Sequence, residues 1–471
     1  MDKITCDICI IGGGSGGLSV AAGAAQMGAR TVLVEGHKMG GDCLNYGCVP
    51  SKALLAAAKA AHAQESGAAF GVAPHVPHVD FAAAKDHVTR AIATIEPHDS
   101  VERFEGLGVR VIQDWGRFTG PRTLEAGGHE ITARRFVIAT GSGPFVPPIP
   151  GLDGVPYLTN ETVFDLRDRP EHLIVIGGGP IGMEMAQAHR RLGCRVTVIE
   201  AAKALGREDP ELAAIALENL RAEGIEIRED TAVTAVAGQA GAITVTTGAG
   251  DVTGSHLLVA VGRRVALDRL NLAAAGVEHT PRGVTVDAGL RSTNRRIYAV
   301  GDAAGGAQFT HLAGYHAGLV IRSALFGLPA KARTDHIPRA TYTDPELAQV
   351  GLTEAEARKD HGDKLEVYRV PFSGNDRAIA QGQTDGLLKL MVVRGRPVGV
   401  SIVGPQAGEL IGLWALVIAN RLKLTAVANM VAPYPTLGEI GKRAAGAYFS
   451  PRLFESATVK RIVGLVQRIL P

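Results

Sequence analysis

Cys43 and Cys48 stand five positions apart in the stretch Gly40-Gly41-Asp42-Cys43-Leu44-Asn45-Tyr46-Gly47-Cys48-Val49-Pro50-Ser51-Lys52. A pair of thiols this close can cycle between dithiol and disulfide. The spacing puts both on roughly one face of a helix start. A regular helix would hold their Cα atoms too far apart for a disulfide, which wants about 4.4–6.8 Å. Gly47 beside Cys48 lets the backbone tighten, because glycine tolerates dihedrals other residues avoid. A cysteine near a helix N-terminus is favoured as thiolate. The plain alternative is a pair of buried structural cysteines. What turns the reading towards redox chemistry is the segment about thirty residues upstream.

That segment is Ile8-Cys9-Ile10-Ile11-Gly12-Gly13-Gly14-Ser15-Gly16-Gly17, an apolar strand entering a glycine-rich turn and then an alanine-rich helix. In such a turn Gly12 permits the tight bend, Gly14 admits a pyrophosphate and Gly17 allows close helix packing. The next strand, Thr31-Val32-Leu33-Val34, ends at Glu35, where a ribose hydroxyl would sit. The unit recurs. Leu173 to Ile176 leads into Gly177-Gly178-Gly179-Pro180-Ile181-Gly182, and Arg195 to Ile199 ends at Glu200. Two dinucleotide sites on one chain suit an oxidoreductase that passes electrons from a nicotinamide to a second, tightly held carrier.

The chain has 471 residues, enough for about three domains. It is 46% apolar and 20% charged, an ordinary globular balance. A formal net charge of only +2 gives no electrostatic case for nucleic-acid binding. No apolar run reaches the ~18 residues of a spanning helix. The chain enters its first strand almost at once, with no signal peptide ahead of it, so a cytoplasmic protein is expected. Five cysteines are too few for a disulfide framework. Cys6 and Cys9 are expected in strand packing, on opposite faces. His75, His78, His87 and His98 crowd one region, but their spacing matches no zinc pattern, and solvated side chains are expected. The final segment, Val459 to Leu470, is basic and amphipathic. It is read either as packing on its own domain or a partner subunit, or as touching a membrane surface.

Together these motifs resemble the flavoprotein disulfide reductases, the family of dihydrolipoamide dehydrogenase, glutathione reductase and mercuric reductase. The resemblance covers essentially the whole chain. A further carrier is Tyr298-Ala299-Val300-Gly301-Asp302-Ala303, similar to the family's second FAD contact. The resemblance implies an α/β chain with two Rossmann-like dinucleotide-binding domains and a C-terminal α+β dimerisation domain. The FAD domain would take residues 1–150 and 279–340, the NAD(P) domain 151–278, and the interface domain of a homodimer 341–471. FAD would lie against Gly12, Gly14, Gly17, Glu35, Lys52, Thr140, Gly141 and Asp302. NADH, or less suitably NADPH, would lie against Gly177, Gly179, Gly182, Glu200 and Gly262. Cys43 and Cys48 would form the redox disulfide, with Cys48 towards the flavin and Cys43 towards the substrate. Lys52 would pair with Glu184 beside the flavin ring.

The chain departs from the pattern near its end. In Ala432-Pro433-Tyr434-Pro435-Thr436-Leu437-Gly438-Glu439, Tyr434 stands where dihydrolipoamide dehydrogenase and glutathione reductase carry an acid/base histidine, which a residue like Glu439 orients. A phenol with a pKa near 10 is a poor base at neutral pH. Tyrosine there resembles mercuric reductase, although this chain lacks that enzyme's C-terminal cysteine pair and has Pro180 where a second tyrosine is expected. The expected activity is NAD(P)H-dependent reduction of a metal ion or a disulfide. Dihydrolipoamide dehydrogenase is one alternative. A redox-sensing flavoprotein that is not an enzyme is the other.

Overall fold

The computed structural model describes residues 2–470, which divide into two compact units. One holds the chain through Ala202 together with Ile225–Arg333, and the other holds Lys203–Gly224 with the chain from Thr334 onward.

The first unit opens with β1 (Asp2–Ile11), α1 (Ser15–Gln26) and β2 (Thr31–Val34). The cysteines sit on α2 (Gly41–Asn45) and α3 (Cys48–Glu65), followed by α4 (Phe81–Ile95) and α5 (Val101–Gly106). Helical spacing runs from Phe81 to Phe104, yet the helix breaks at Glu96. Pro97 cannot donate to the helical ladder, and Ser100 caps a new helix by accepting from Arg103 N–H. Strands β3 (Val109–Ile112), β4 (Arg117–Gly120), β5 (Thr123–Ala126) and β6 (His129–Ile138) complete a sheet of order β3-β2-β1-β6-β5-β4. A later strand, Ile297–Ala299, also pairs with β6. β1 runs parallel to both β2 and β6, and its second half is buried on both faces, as a covered parallel strand must be. Ile8 and Ile10 join one core cluster, Cys9 and Ile11 another.

Cys6 and Cys9 are both buried, and both lie in the same core cluster rather than on opposite faces. Consecutive N–H groups of Asp7 and Ile8 both donate to Arg30 O, at 2.9 and 3.3 Å. The pairing with β6 stays one-to-one through this point, Cys6 with Ala133 and Cys9 with Phe136, and those two partners join the same cluster, so the two strands change face together.

A second nucleotide-binding fold follows β7 (Ser142–Pro144). It comprises β8 (His172–Ile176), α6 (Pro180–Arg191), β9 (Arg195–Ile199) and, beyond α7 (Pro210–Ala222), β10 (Glu226–Arg228). A three-stranded antiparallel sheet follows: β11 (Val233–Gln239), β12 (Ala242–Thr247) and β13 (Val252–Gly254). Then β14 (His256–Val259) closes the parallel order β10-β9-β8-β14. β15 (Arg263–Val265) pairs with β7, and β16 (His279–Thr280) with β17 (Gly283–Val284). The chain returns to the first sheet as β18 (Ile297–Ala299) and ends the unit with α8 (Thr310–Ala324).

The second unit is a five-stranded antiparallel sheet of order β19-β20-β23-β22-β21, backed by helices. In chain order it holds β19 (Arg339–Thr341), β20 (Glu346–Gly351), α9 (Glu354–His361), β21 (Leu365–Pro371), α10 (Asp376–Ala380), β22 (Leu387–Val393) and β23 (Arg396–Gly404). Helices α11 (Ala407–Ala419), α12 (Leu424–Ala428), α13 (Glu439–Phe454) and α14 (Ala457–Ile469) follow. Its core gathers Leu388, Leu390, Val400 and Ile402 with Trp414 and Ile440. A buried cation crosses it: Lys389 Nζ lies 2.7 Å from Asp209 Oδ1 and 2.7 Å from Glu211 Oε2. The mixed α/β architecture, with two nucleotide-binding sheets built around parallel strands and a C-terminal α+β part, is the fold class read from the sequence.

Candidate active site

The two glycine turns share one construction. A Cβ at Gly12 would collide with Ala139 O, and one at Gly177 with Ala260 O. A Cβ at Gly17 would collide with Gly12 O, and one at Gly182 with Gly177 O. Helix and strand therefore meet at van der Waals distance only because both residues are glycine. Gly14 and Gly179 are the N-caps of α1 and α6; neither helix has a side-chain cap or an acidic residue in its first turn. Nothing crowds Gly179, and the nearest atom to a Cβ at Gly14 would be Gly41 Cα at 3.7 Å. Each turn thus leaves an uncapped helix N-terminus facing open space, which suits a pyrophosphate. Glu35 accepts from Gly13 N–H, and Glu200 Oε2 accepts from Gly178 N–H at 2.7 Å, so each carboxylate is fixed beside its turn.

Thr140 and Gly141 follow β6 directly beside Gly12. Thr140 Oγ1 is buried with no hydrogen-bond partner among the described residues, a polar atom that fits a group of the cofactor. Gly141, at φ +65°, turns the chain towards β7. Gly262, at φ +141°, stands at the equivalent place after β14. Ser142 Oγ donates to Asp302 Oδ2, and Arg263 Nε donates to Ser142 Oγ at 2.8 Å. Burial raises the Asp302 carboxyl pKa, against the hydrogen bond from Ser142. The residues present fit FAD at the first turn and a nicotinamide dinucleotide at the second.

The cysteines do not share one continuous helix. α2 ends at Asn45, the chain turns at Gly47, and Cys48 is the first residue of α3. A Cβ on Gly47 would sit 2.9 Å from Asp42 Oδ2 and 3.3 Å from Cys43 Cα, so this turn, which returns Cys48 to Cys43, requires glycine. The loop is held by Arg263, which pairs with Asp42 Oδ2 at 3.0 Å, and by Asn160 Nδ2, which donates to Asp42 Oδ1 and Tyr46 O.

Both cysteines are free thiols, Cys48 exposed and Cys43 half-buried. The hydrogen bond from Cys43 brings the Cys48 thiol down to about 6, and Thr310 and the Lys52 ammonium add to the effect against burial. Cys43 moves the other way, because its proton is held by the Cys48 sulfur and its site is partly desolvated. Cys48 is therefore the thiolate and Cys43 the proton donor. The start of α3, with no side-chain cap, contributes its dipole to the same thiolate. One turn on, Lys52 Nζ lies 2.7 Å from Oε2 of the buried Glu184 on α6.

Thr310 is a site residue that sequence reading misses. Its Oγ1 lies 3.4 Å from Cys48 Sγ, and it is the first residue of α8. Ser142, Asp42, Arg263 and Asn160 complete the site through contacts that no local motif announces.

Tyr434 and Glu439 belong to the second unit. Tyr434 is 71% exposed, and its hydroxyl donates to Asp376 Oδ2 at 3.0 Å. That bond raises its pKa further. Glu439, the first residue of α13, accepts from Thr436 N–H at 3.2 Å. Arg443 supports the other Asp376 oxygen at 3.0 Å. The exposed histidines His75, His78, His87 and His98 form no metal site, and among the described residues no group of three or more His, Cys, Asp or Glu side chains could hold a metal ion.

Two dinucleotide folds, a thiolate–thiol pair at a helix start and a separate C-terminal unit define a flavoprotein disulfide reductase. The chain belongs to the pyridine nucleotide-disulphide oxidoreductase family: residues 6–317 match that family, and residues 337–445 match its dimerisation domain. It is 36% identical to mercuric reductase of Streptomyces lividans over 94% of this chain and 96% of the relative. It is 33% identical to dihydrolipoyl dehydrogenase of Bacillus subtilis over 92% of this chain and 96% of the relative. A solved structure of the HOCl-induced flavoprotein disulfide reductase RclA from Escherichia coli, as its Cu(II) complex, superposes with a TM-score of 0.85 at 27% identity, covering 95% of this chain and 100% of that one. The protein is thus an NAD(P)H-dependent flavoprotein disulfide oxidoreductase that uses FAD.

Proposed function

We propose that this protein is a homodimeric, NADH-preferring flavoprotein that reduces a thiophilic metal ion at Cys43 and Cys48. The observation that carries the acceptor is Tyr434. It occupies the place of the family's acid/base histidine, and its phenol is pushed further from neutrality by Asp376. Opening a disulfide substrate needs a group that exchanges a proton near neutral pH. A soft metal ion binds thiolates directly and needs none. The relatives named mercuric reductase and the Cu(II) complex of RclA support the same class of acceptor.

FAD, when bound, takes two electrons from a nicotinamide and passes them towards the thiols. The protein's own residues do the rest. Gly12, Gly14 and Gly17 admit the FAD pyrophosphate, Glu35 takes a ribose hydroxyl, and Thr140, Gly141 and Asp302 contact the remaining length. Gly177, Gly179, Gly182 and Gly262 do the same for the nicotinamide dinucleotide. Glu200 accepts from the adenosine ribose hydroxyls and repels a 2′-phosphate, which favours NADH. Lys52, steadied by Glu184, offers positive charge where the reduced flavin becomes negative. Cys48 faces the flavin as thiolate. Cys43 meets the acceptor, losing its proton as it binds the ion. The overall reaction for a two-electron ion consumes NADH and the ion, and yields NAD⁺, one proton and the reduced metal.

The test is Tyr434→His, assayed with lipoamide and with mercuric ion. A positioned acid/base contributes ~10²–10⁴-fold, so lipoamide turnover should rise from a poor wild-type level by at least about tenfold while mercuric-ion turnover changes little. Robust lipoamide turnover by the wild type would instead identify a dihydrolipoamide dehydrogenase.

A further inference from the structure

The C-terminal helix α14 takes no part in the site. Ser456 caps it by accepting from Val459 N–H, and it runs thirteen residues, about 20 Å at 1.5 Å per residue. None of its residues is buried. At 100° per residue, Val459, Ile462, Val463, Leu465, Val466 and Ile469 fall within about 160° of one another. Lys460, Arg461 and Arg468 share the opposite arc. The apolar side chains from Ile462 onward are 38% (Val466) to 69% (Ile469) exposed. No acidic residue occurs between Glu455 and the end of the helix.

Exposed apolar surface this continuous on an otherwise ordinary chain needs an occupant. The helix lies beyond residue 445, where the match to the family's dimerisation domain ends. Its cationic face, unrelieved by any carboxylate, is complementary to an anionic surface. The basic residues lie on the polar face opposite the apolar arc, which is the arrangement of a helix lying in a membrane interface. At about 20 Å it is too short to cross the ~30 Å hydrocarbon layer, and no helix among the described residues is long and apolar enough to span. We infer that α14 docks this reductase on an anionic lipid bilayer, its apolar arc in the headgroup–acyl boundary and its three basic residues on lipid phosphates. The docking is independent of which acceptor the thiols serve.

The FAD-loaded, full-length protein should float with vesicles of phosphatidylcholine mixed with phosphatidylglycerol and much less with phosphatidylcholine alone. The partition should fall as salt is raised. Lys460→Gln with Arg461→Gln should weaken it about 30-fold, from ~1 kcal/mol per basic residue near the surface. Ile462→Asp with Val466→Asp should abolish flotation while NADH-dependent turnover stays at the wild-type level. A wild-type protein that does not float with anionic vesicles overturns the inference. So does one whose Ile462→Asp/Val466→Asp variant floats as well as wild type. If the wild type fails to float and that variant sediments as a monomer, α14 belongs to the interface between copies instead.

Discussion

After the hydrogen bond from Cys43, Thr310 contributes to the acidity of the Cys48 thiolate, and Thr310→Val isolates its share. The substitution keeps the side chain's shape and removes one hydroxyl. In the structure that hydroxyl is 3.4 Å from Cys48 Sγ, a normal distance for a bond to sulfur, and it lowers the Cys48 pKa alongside Cys43 and Lys52. A hydrogen bond to a charged acceptor contributes ~1.5–3 kcal/mol. Sulfur is a diffuse acceptor and both residues are exposed, so about 1 kcal/mol is a fair figure here. At ~1.4 kcal/mol per pKa unit this raises the thiolate pKa by about 0.7. The sign follows from the lowered pKa: thiolate is present above about 6 and is lost as the pH falls through that value. The assay is the long-wavelength charge-transfer absorbance of the anaerobically two-electron-reduced protein, titrated between pH 5 and 9. Wild type should lose the band near pH 6 and the variant at higher pH, with the same amplitude at the alkaline end. An unshifted midpoint in Thr310→Val would show that Thr310 merely neighbours the sulfur.

Cys48→Ser should abolish the charge-transfer band, whereas Cys43→Ser should show it in the oxidised protein, because a lone Cys48 thiolate then faces the flavin; the visible spectra of both variants check this. NADH should reduce the bound flavin faster than NADPH, and Glu200→Ala should narrow the difference, as rapid-mixing absorbance will read. Lys389→Met should destabilise the second unit by ~3–5 kcal/mol, because Asp209 would be left buried without its cation; a lowered thermal transition with bound FAD retained is the expected result.

The parts of the site legible in the sequence are those whose physics is local. Gly12 with Gly17, and Gly177 with Gly182, fail sterically if either carries a Cβ, so their spacing alone marks the turn. Glu35 and Glu200 end the adjacent strands, a fixed step from those glycines. Gly47 is legible for the same reason, although the break between α2 and α3 that it permits is sharper than a single helix start. Thr310 was invisible because it lies 262 positions from Cys48, and only the return of the chain to the first sheet through β18 brings it there. Nothing in its own neighbourhood distinguishes it from any threonine that opens a helix. The anchoring of Asp42 by Arg263 and Asn160 is likewise made by tertiary folding. Cys6 and Cys9 misled for a smaller reason: strict alternation assumes a regular strand, and between these two residues β1 and its partner β6 change face together.

The most direct test of the central claim is anaerobic reduction of the purified yellow protein with NADH, followed by a panel of acceptors: mercuric and cupric ions, lipoamide, glutathione disulfide, quinones and oxygen. The account predicts that mercuric or cupric ion reoxidises the protein with multiple turnovers, that lipoamide and glutathione disulfide do so poorly, and that Cys43→Ser removes the metal-dependent turnover. Rapid, repeated turnover with lipoamide and none with either metal ion would contradict it.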